Sequence, residues 1–128
     1  MENKIEITKV FDDDFVKSLI KISGDSNPIH SDEAYAARSY FKKRIVPAAS
    51  VFCLISQGLT KMFGPGNLWT SQSMIMKKPI FINEQVKLEM EILSNNKKIF
   101  NVRTTCFNAK NEIVMDGVAQ SVPVYWKD

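Results

Sequence analysis

The chain has 128 residues, 45% of them hydrophobic, which suits one ordinary globular domain with a buried core and is too short for two. Its 17 basic and 14 acidic residues are interspersed, so the net charge of +3 favours anionic ligands only weakly and predicts no nucleic-acid partner. No window approaches the roughly 18 apolar residues of a membrane span. We therefore expect a single domain over residues 1–128, soluble and cytoplasmic, with no membrane partner.

The first part of the chain predicts a strand and then two helices around a turn. Residues 4–10 alternate between apolar and polar side chains, which is typical of a strand. Aspartates at 12–14 begin a helix that ends at Gly24, because acidic residues stabilise the positive N-terminal end of a helix. After a turn, we expect Ser31 to cap a second short helix that begins at the next residue.

A longer apolar helix follows Pro47, a residue type that favours the first turn of a helix. Residues 48–63 are nearly all apolar or small, so we expect this helix to be buried on almost every side. The segment Gly64-Pro65-Gly66 ends it. Cys53, within this helix, and Cys106 are interpreted as small buried hydrophobic side chains rather than as a disulfide.

After this helix the periodicity changes to two. Four extended stretches are predicted, near residues 67–76, 85–93, 98–108 and 112–124. Turn-forming residues separate the last three, which favours antiparallel neighbours. The order of elements predicts an α+β fold in which one antiparallel β-sheet curls around one apolar helix.

The strongest chemical signal is the only histidine of the chain, His30, five residues after Asp25 in the turn between the first two predicted helices. A carboxylate and an imidazole can together accept and donate protons near neutral pH. On spacing alone, a turn in which Asp25 and Asn27 only cap, and His30 is solvated, explains the same residues. A Ser-His-Asp hydrolase is disfavoured because the serines lack a nucleophile signature. A lone histidine and two distant cysteines predict no metal site.

The start of the apolar helix at Pro47-Ala48 is a second candidate site. Free backbone N–H groups at a helix N-terminus stabilise developing negative charge, such as a thioester oxygen becoming an enolate. Every helix has such groups, so ordinary capping is the default explanation of this feature when it is considered by itself.

Residues 22–32, with the sequence ISGDSNPIHSD, resemble the hydratase 2 motif of the MaoC-like, (R)-specific enoyl-CoA hydratases. The resemblance continues through the apolar helix, Gln72 and Lys78-Pro79-Ile80, and covers nearly the whole chain. It implies a hot-dog fold, in which a sheet wraps a central helix, usually assembled as a homodimer or larger oligomer with acyl-thioester tunnels near the subunit interface. This agrees with the element order derived above.

The resemblance also implies an activity, the reversible syn addition of water to a trans-2-enoyl thioester, which gives an (R)-3-hydroxyacyl thioester. Asp25 and His30 would be the catalytic pair, with Asn27 bracing their loop. The backbone N–H of Ala48 would polarise the thioester carbonyl. No cofactor is implied, because coenzyme A or acyl carrier protein is part of the substrate.

Three positions depart from the family pattern. Pro47-Ala48 stands where the family usually has His-Gly, so the methyl group of alanine is expected to crowd a thioester that glycine would admit. Phe41-Lys42 replaces Phe-Gly and Asn83-Glu84 replaces Gly-Asp, each in a loop where we expect it to be tolerated. The departures keep open a non-catalytic acyl-binding subunit. A thioesterase on the same fold is disfavoured because the Asp25 to His30 motif is retained.

Other residues are candidates for contact with the substrate. Gln72 lies on the first long strand, and the apolar candidates fit either an acyl tunnel or an ordinary core: they are Trp69, Met74, Met76 and Met90. The basic candidates flank the expected entrance, where they would meet coenzyme A phosphates or an acidic carrier protein, or form a solvated turn: they are Lys42, Lys43 and Arg44.

Overall fold

A computed structural model describes residues 3–96 and 98–124. Its elements in chain order are β1 (Lys4–Val10), α1 (Asp13–Ser23), α2 (Pro28–Ser31), α3 (Glu33–Ala37), α4 (Ala49–Phe63), β2 (Asn67–Gln72), β3 (Ile75–Met76), β4 (Gln85–Asn95), β5 (Phe100–Phe107) and β6 (Ile113–Pro123). The strands form one antiparallel sheet in the order β1-β4-β5-β6-β2, with β3 also paired to β6. None of the described helices is long and apolar enough to cross a membrane.

The core lies between the sheet and α4, because one apolar face of each can leave water only by packing on the other. The helix contacts β1, β2 and β4. The largest fully buried side chains come from both layers: they include Ile55 and Leu59 of the helix and Leu88, Met90, Val102, Val114 and Met115 of the sheet. The predicted antiparallel sheet around an apolar helix is confirmed.

Helix α4 is buried on one side only, so the expectation that it would be buried almost all round is wrong for the single chain. Ser56, Gln57 and Thr60 are exposed on its outer side. Cys53 is exposed there too, which corrects its interpretation as a buried side chain, whereas Cys106 on β5 is fully buried. One sheet can cover only one face of a helix, and the described residues, 3–96 and 98–124, form no second layer over the other face.

The strand predicted over residues 67–76 is two strands, β2 and β3, with a break at Ser73. The Ser73 N–H donates to the Val118 carbonyl over 2.9 Å, and the Val118 N–H donates to Ser73 Oγ over 2.9 Å. Gly117 permits this close approach, since a Cβ atom there would collide with the Ser73 carbonyl oxygen. The break redirects the chain, so that β3 ends beside the start of α4.

The helices before α4 also differ from the prediction in two respects. The turn after Gly24 contains a one-turn helix, α2, so His30 lies on a helix and not in an irregular loop. Asp32, rather than Ser31, caps α3, and its side chain accepts a hydrogen bond from the Tyr35 N–H. Ser31 and Asp32 are both residue types that cap helices, and Ser31 is instead the last residue of α2.

Candidate active site

A cavity of 520 Å³ opens at the N-terminal end of α4. Three parts of the chain line it: the turn and α2 with Asp25 and His30, the segment that leads into α4, and the segment from β3 to Ile80. Most of the lining is apolar, including Phe41, Ile45, Val46, Pro47, Met76 and Ile80. The predicted acid/base pair therefore opens into an apolar space, which suits an acyl chain.

His30 is buried, with 7% of its surface exposed, so it is not the solvated turn residue of the simpler explanation. Its Nδ1 atom lies 2.7 Å from the Ile45 carbonyl oxygen. A carbonyl only accepts hydrogen bonds, so we assign the proton to Nδ1. In the neutral ring Nε2 is then an acceptor, and it lies 3.6 Å from Asp25 Oδ2.

Asp25 is held by the turn that contains it. Its Oδ1 accepts from the Asn27 N–H over 3.0 Å, and its own N–H donates to Ser23 Oγ over 3.1 Å. Asn27 in turn caps α2, because its Oδ1 accepts from the Ile29 N–H over 3.2 Å. These bonds leave Oδ2 of Asp25 directed to His30, with 43% of the Asp25 side chain exposed.

The third part of the site is the start of α4. Intrahelical bonding begins with the Ser50 N–H to the Pro47 carbonyl and the Val51 N–H to the Ala48 carbonyl. Ala48 is the N-cap without a side-chain hydrogen bond, so the N–H groups of Ala48 and Ala49 have no helical acceptor. Both residues line the cavity, where the positive end of the helix favours negative charge.

Two of the residues that depart from the pattern of the resembled family lie in left-handed backbone. Lys42 has φ 67° and Asn83 has φ 69°, a region that glycine and, less often, asparagine adopt without much cost. The positions expected to be simply tolerated in loops thus include one, Lys42, where the side chain strains the backbone. Ala48, by contrast, has φ −58°, which any residue adopts, so glycine is not required there by the backbone.

The basic candidates line a different cavity, of 590 Å³, together with Phe81, Ile82 and Asn83. The Lys43 Nζ atom lies 4.4 Å from the centre of the Phe81 ring. Arg44 forms ion pairs with two acidic neighbours: its Nη2 lies 2.6 Å from Asp13 Oδ1 and its Nη1 lies 3.8 Å from Glu33 Oε1. Lys43 is therefore better placed than Arg44 to meet an anionic ligand.

Gln72 and Trp69 do not line the Asp25 and His30 cavity. The Trp69 Nε1–H donates to Gln72 Oε1 over 3.1 Å, and the Gln72 Nε2–H donates to Thr104 Oγ1 over 3.0 Å. Thr104 is fully buried. In this chain the two predicted substrate contacts form a polar bridge between β2 and β5.

The sequence analysis did not single out Ile45 or Ile80 as site residues, although both line the cavity. The Val46 N–H donates to the Ile80 carbonyl over 2.7 Å, and Ile45 forms an isolated bridge with Phe81. A pairing this short has no periodicity to detect. The only usable signals were the apolar character of both residues and, for Ile80, its place in the Lys78-Pro79-Ile80 segment that extends the resemblance.

Other chemistry finds little support. Burial raises the pKa of the Cys106 thiol to about 12, so it stays protonated at neutral pH and is a poor nucleophile. Within residues 3–96 and 98–124, no group of three or more His, Cys, Asp or Glu side chains is placed to hold a metal ion.

A MaoC-like domain model matches residues 16–114, which include the whole site described above. The chain belongs to the MaoC-like domain family. This confirms the family predicted from the motif at residues 22–32 and agrees with the position of Asp25 and His30 in one cavity.

The relatives include the (R)-specific enoyl-CoA hydratase of Aeromonas caviae, 30% identical over 91% of this chain and 89% of that protein. The mitochondrial 3-hydroxyacyl-[acyl-carrier-protein] dehydratase of Arabidopsis thaliana is 29% identical over 90% of this chain and 72% of that protein. The solved (R)-hydratase of A. caviae, involved in PHA biosynthesis, superposes with a TM-score of 0.90 at 28% identity, covering 94% of this chain and 93% of that one. The predicted hot-dog fold is confirmed.

Proposed function

We propose that this protein is a hydro-lyase that adds water to trans-2-enoyl thioesters and, in reverse, dehydrates (R)-3-hydroxyacyl thioesters. The observation on which this rests is the pair formed by Asp25 Oδ2 and His30 Nε2, 3.6 Å apart in an apolar cavity beside a helix N-terminus. The names of the relatives, which are hydratases and dehydratases, confirm the predicted reaction class.

The spacing of the pair suits a water molecule. At 3.6 Å the two atoms are too far apart for a good direct hydrogen bond, and in the neutral imidazole both are acceptors. A water placed between them can donate one hydrogen to each. Asp25 and His30 would thus orient one lone pair of that water toward the cavity, where the substrate double bond would lie.

In the proposed hydration step, the oxygen of this water bonds to C3 while Asp25 accepts the proton that it loses. The proton then passes from Asp25 to Nε2 of His30, which delivers it to C2 on the same face. This delivery leaves Asp25 ionised and His30 neutral again, so one water is consumed and the side chains are unchanged. The reverse sequence is the dehydration.

Charge that develops on the thioester oxygen needs a donor. The N–H groups of Ala48 and Ala49 lack helical acceptors and line the same cavity, so we propose that they bind this oxygen. Met76, Ile80 and Phe41 would then contact the acyl chain. The mechanism uses no cofactor, since coenzyme A or acyl carrier protein enters as part of the substrate.

Both thioester carriers fit the proposal. The A. caviae relative is named for coenzyme A esters and the A. thaliana relative for carrier-protein esters, and both carriers present an anionic group beyond the thioester. Lys43 is exposed in the neighbouring charged cavity, so we propose Lys43, rather than the already paired Arg44, as the contact for that anion.

We further propose a homodimer or larger homo-oligomer that acts in the cytoplasm. The outer side of α4 exposes Cys53, Gln57 and neighbouring side chains, and Leu68 on the edge strand β2 is 52% exposed. A second copy on this side would cover both the helix and the free strand edge.

The test is the loss of enoyl-thioester absorbance when purified protein is mixed with crotonyl-coenzyme A, with free thiol followed in parallel. We expect hydration without thiol release, and His30→Ala and Asp25→Asn should each lose about 10²- to 10⁴-fold in rate. Asp14→Asn, the same change on an exposed residue outside the cavity, should keep the wild-type rate.

Thiol release would indicate a thioesterase and contradict the proposal. If neither crotonyl-coenzyme A nor the matching carrier-protein ester reacts, the result would favour a non-catalytic acyl-binding subunit. Near-normal rates in folded His30→Ala or Asp25→Asn protein would show that the pair does not perform the chemistry.

A further inference from the structure

Arg44 joins the three helices α1, α2 and α3. Its Nε–H donates to the main-chain carbonyl of His30 over 2.9 Å, and its Nη2–H donates to Asp13 Oδ1 over 2.6 Å. Its Nη1 lies 3.8 Å from Glu33 Oε1. Only 12% of the side chain is exposed, so the guanidinium lies against α1, α2 and α3 rather than in solvent.

Helix α2 needs such support because it is a single turn. A helix of four residues gains too few internal hydrogen bonds to offset the cost of nucleation. The His30 carbonyl lies at its C-terminal end, where carbonyls lack helical donors and the helix dipole is negative. A guanidinium that donates to this carbonyl satisfies it and stabilises the turn that presents the imidazole.

Two consecutive residues hold His30 from two directions. Arg44 binds its main chain, while the Ile45 carbonyl binds its ring at Nδ1 over 2.7 Å. The Ile45 N–H also donates to the Ile29 carbonyl over 3.2 Å. The ring bond to Ile45 fixes which nitrogen carries the proton, and it forms only if α2 stays in place against the segment around Arg44.

Asp13 anchors Arg44 from the other side. Hydrogen bonds from Lys17 and from Arg44 hold the pKa of the Asp13 carboxyl below its ordinary value, so it is charged at neutral pH. Lys17 Nζ lies 2.9 Å from Asp13 Oδ2. Lys17 therefore also binds Asp13, but within the described residues it forms no hydrogen bond to His30, which makes it a matched control.

We propose that Arg44 is a positioning residue: it holds α2 against the segment around Ile45 and thereby sets the ring orientation and the tautomer of His30. The kinetic part of this inference rests on the proposed hydratase function. The part that concerns the histidine ring does not, so the two can fail separately.

The test uses the fact that His30 is the only histidine of the chain. In tag-free, ¹⁵N-labelled protein at a pH where the imidazole is neutral, its two ring nitrogens give one assignable set of NMR signals. We expect the wild type and Lys17→Gln to show mainly the tautomer protonated at Nδ1. Arg44→Gln should show a mixture of tautomers.

The kinetic arm separates positioning from binding. We expect Arg44→Gln to lower kcat by about 10- to 100-fold, as small misplacements of a catalytic group do, with little change in KM. Arg44→Lys keeps the charge but lacks the planar guanidinium fork, so it should remain folded and show the same change in tautomer. This second variant keeps the test decisive if Arg44→Gln does not fold.

An unchanged histidine tautomer in a folded Arg44→Lys or Arg44→Gln variant would overturn the proposal. A raised KM with unchanged kcat would also overturn it, since that pattern belongs to a residue that binds the substrate anion. If the wild type does not hydrate enoyl thioesters, the proposed function fails while the tautomer comparison still decides the role of Arg44.

Discussion

Two cavities lie side by side in this fold and are lined by consecutive parts of the same two segments. Residues 42–44 and 81–83 line a cavity of 590 Å³ with exposed lysines, Arg44, Asp13 and Glu33. Residues 45–49 and 76–80 line a cavity of 520 Å³ mostly with apolar side chains, together with Lys77 and Lys78, and Asp25 and His30 complete it. The larger cavity has most of the charged side chains, and the smaller one has the candidate proton-transfer groups.

This difference shows that the volume of a cavity does not indicate where the candidate proton-transfer groups lie. In the charged cavity most groups are satisfied by one another, as Arg44 is by Asp13 and Glu33. In the apolar cavity, N–H groups at a helix start and two acceptor atoms 3.6 Å apart have few protein partners. A few polar groups that converge on a mostly apolar cavity are the usual property of a ligand-binding site.

The largest expected effect outside the acid/base pair concerns Ala48. Ala48→Pro removes the N–H at a φ of −58°, which proline adopts, and should lower kcat by about 10²- to 10³-fold, the value of one oxyanion donor. Ala48→Gly keeps the N–H and should keep or raise the rate. Circular dichroism checks the fold, and equal rates in the two variants would remove the helix start from the mechanism.

A smaller effect is expected in the charged cavity. Lys43→Ala should raise KM for a coenzyme A ester by about 2- to 5-fold and leave kcat unchanged, because exposed ion pairs contribute about 1 kcal/mol or less. Lys43→Arg should keep the wild-type KM, and the difference should shrink in high salt. A fall in kcat instead would mean that the two cavities act as one catalytic unit.

The smallest effect tests the backbone between the cavities. Lys42 has φ 67°, where a side chain costs about 1 kcal/mol, so Lys42→Gly should raise the free energy of unfolding by up to about that amount. Lys42→Ala, which also removes the charge but keeps a Cβ atom, is the control and should not gain stability. Urea denaturation measures both, and equal stability would contradict the strain.

Local patterns determined much of the molecule. Alternation located β1, the aspartates at 12–14 located α1, and Gly64 ended α4, because caps and periodicity act over a few residues. The motif at residues 22–32 contained Asp25, Asn27 and His30 in order, since one short turn brings them together. This part of the site could be predicted from the sequence.

Contacts between distant segments were decided by the tertiary structure. The pairing of Ile45 with Phe81 joins two segments that line the cavities, and the close approach of Gly117 to Ser73 divides a predicted strand in two. Neither pairing has a local signature. The exposed side of α4 could not be predicted from local sequence, because it depends on the sheet covering only one face of the helix.

The sequence by itself determined the fold class, the family and the placing of Asp25 and His30 together, because these depend on periodicity, caps and a contiguous motif. The tertiary structure decided that Gln72 bridges β2 to β5, that Arg44 holds the His30 carbonyl and that Ala48 needs no glycine backbone. These roles depend on which neighbours satisfy a side chain, and folding brings those neighbours from 14 and 32 residues away for Arg44 and Gln72.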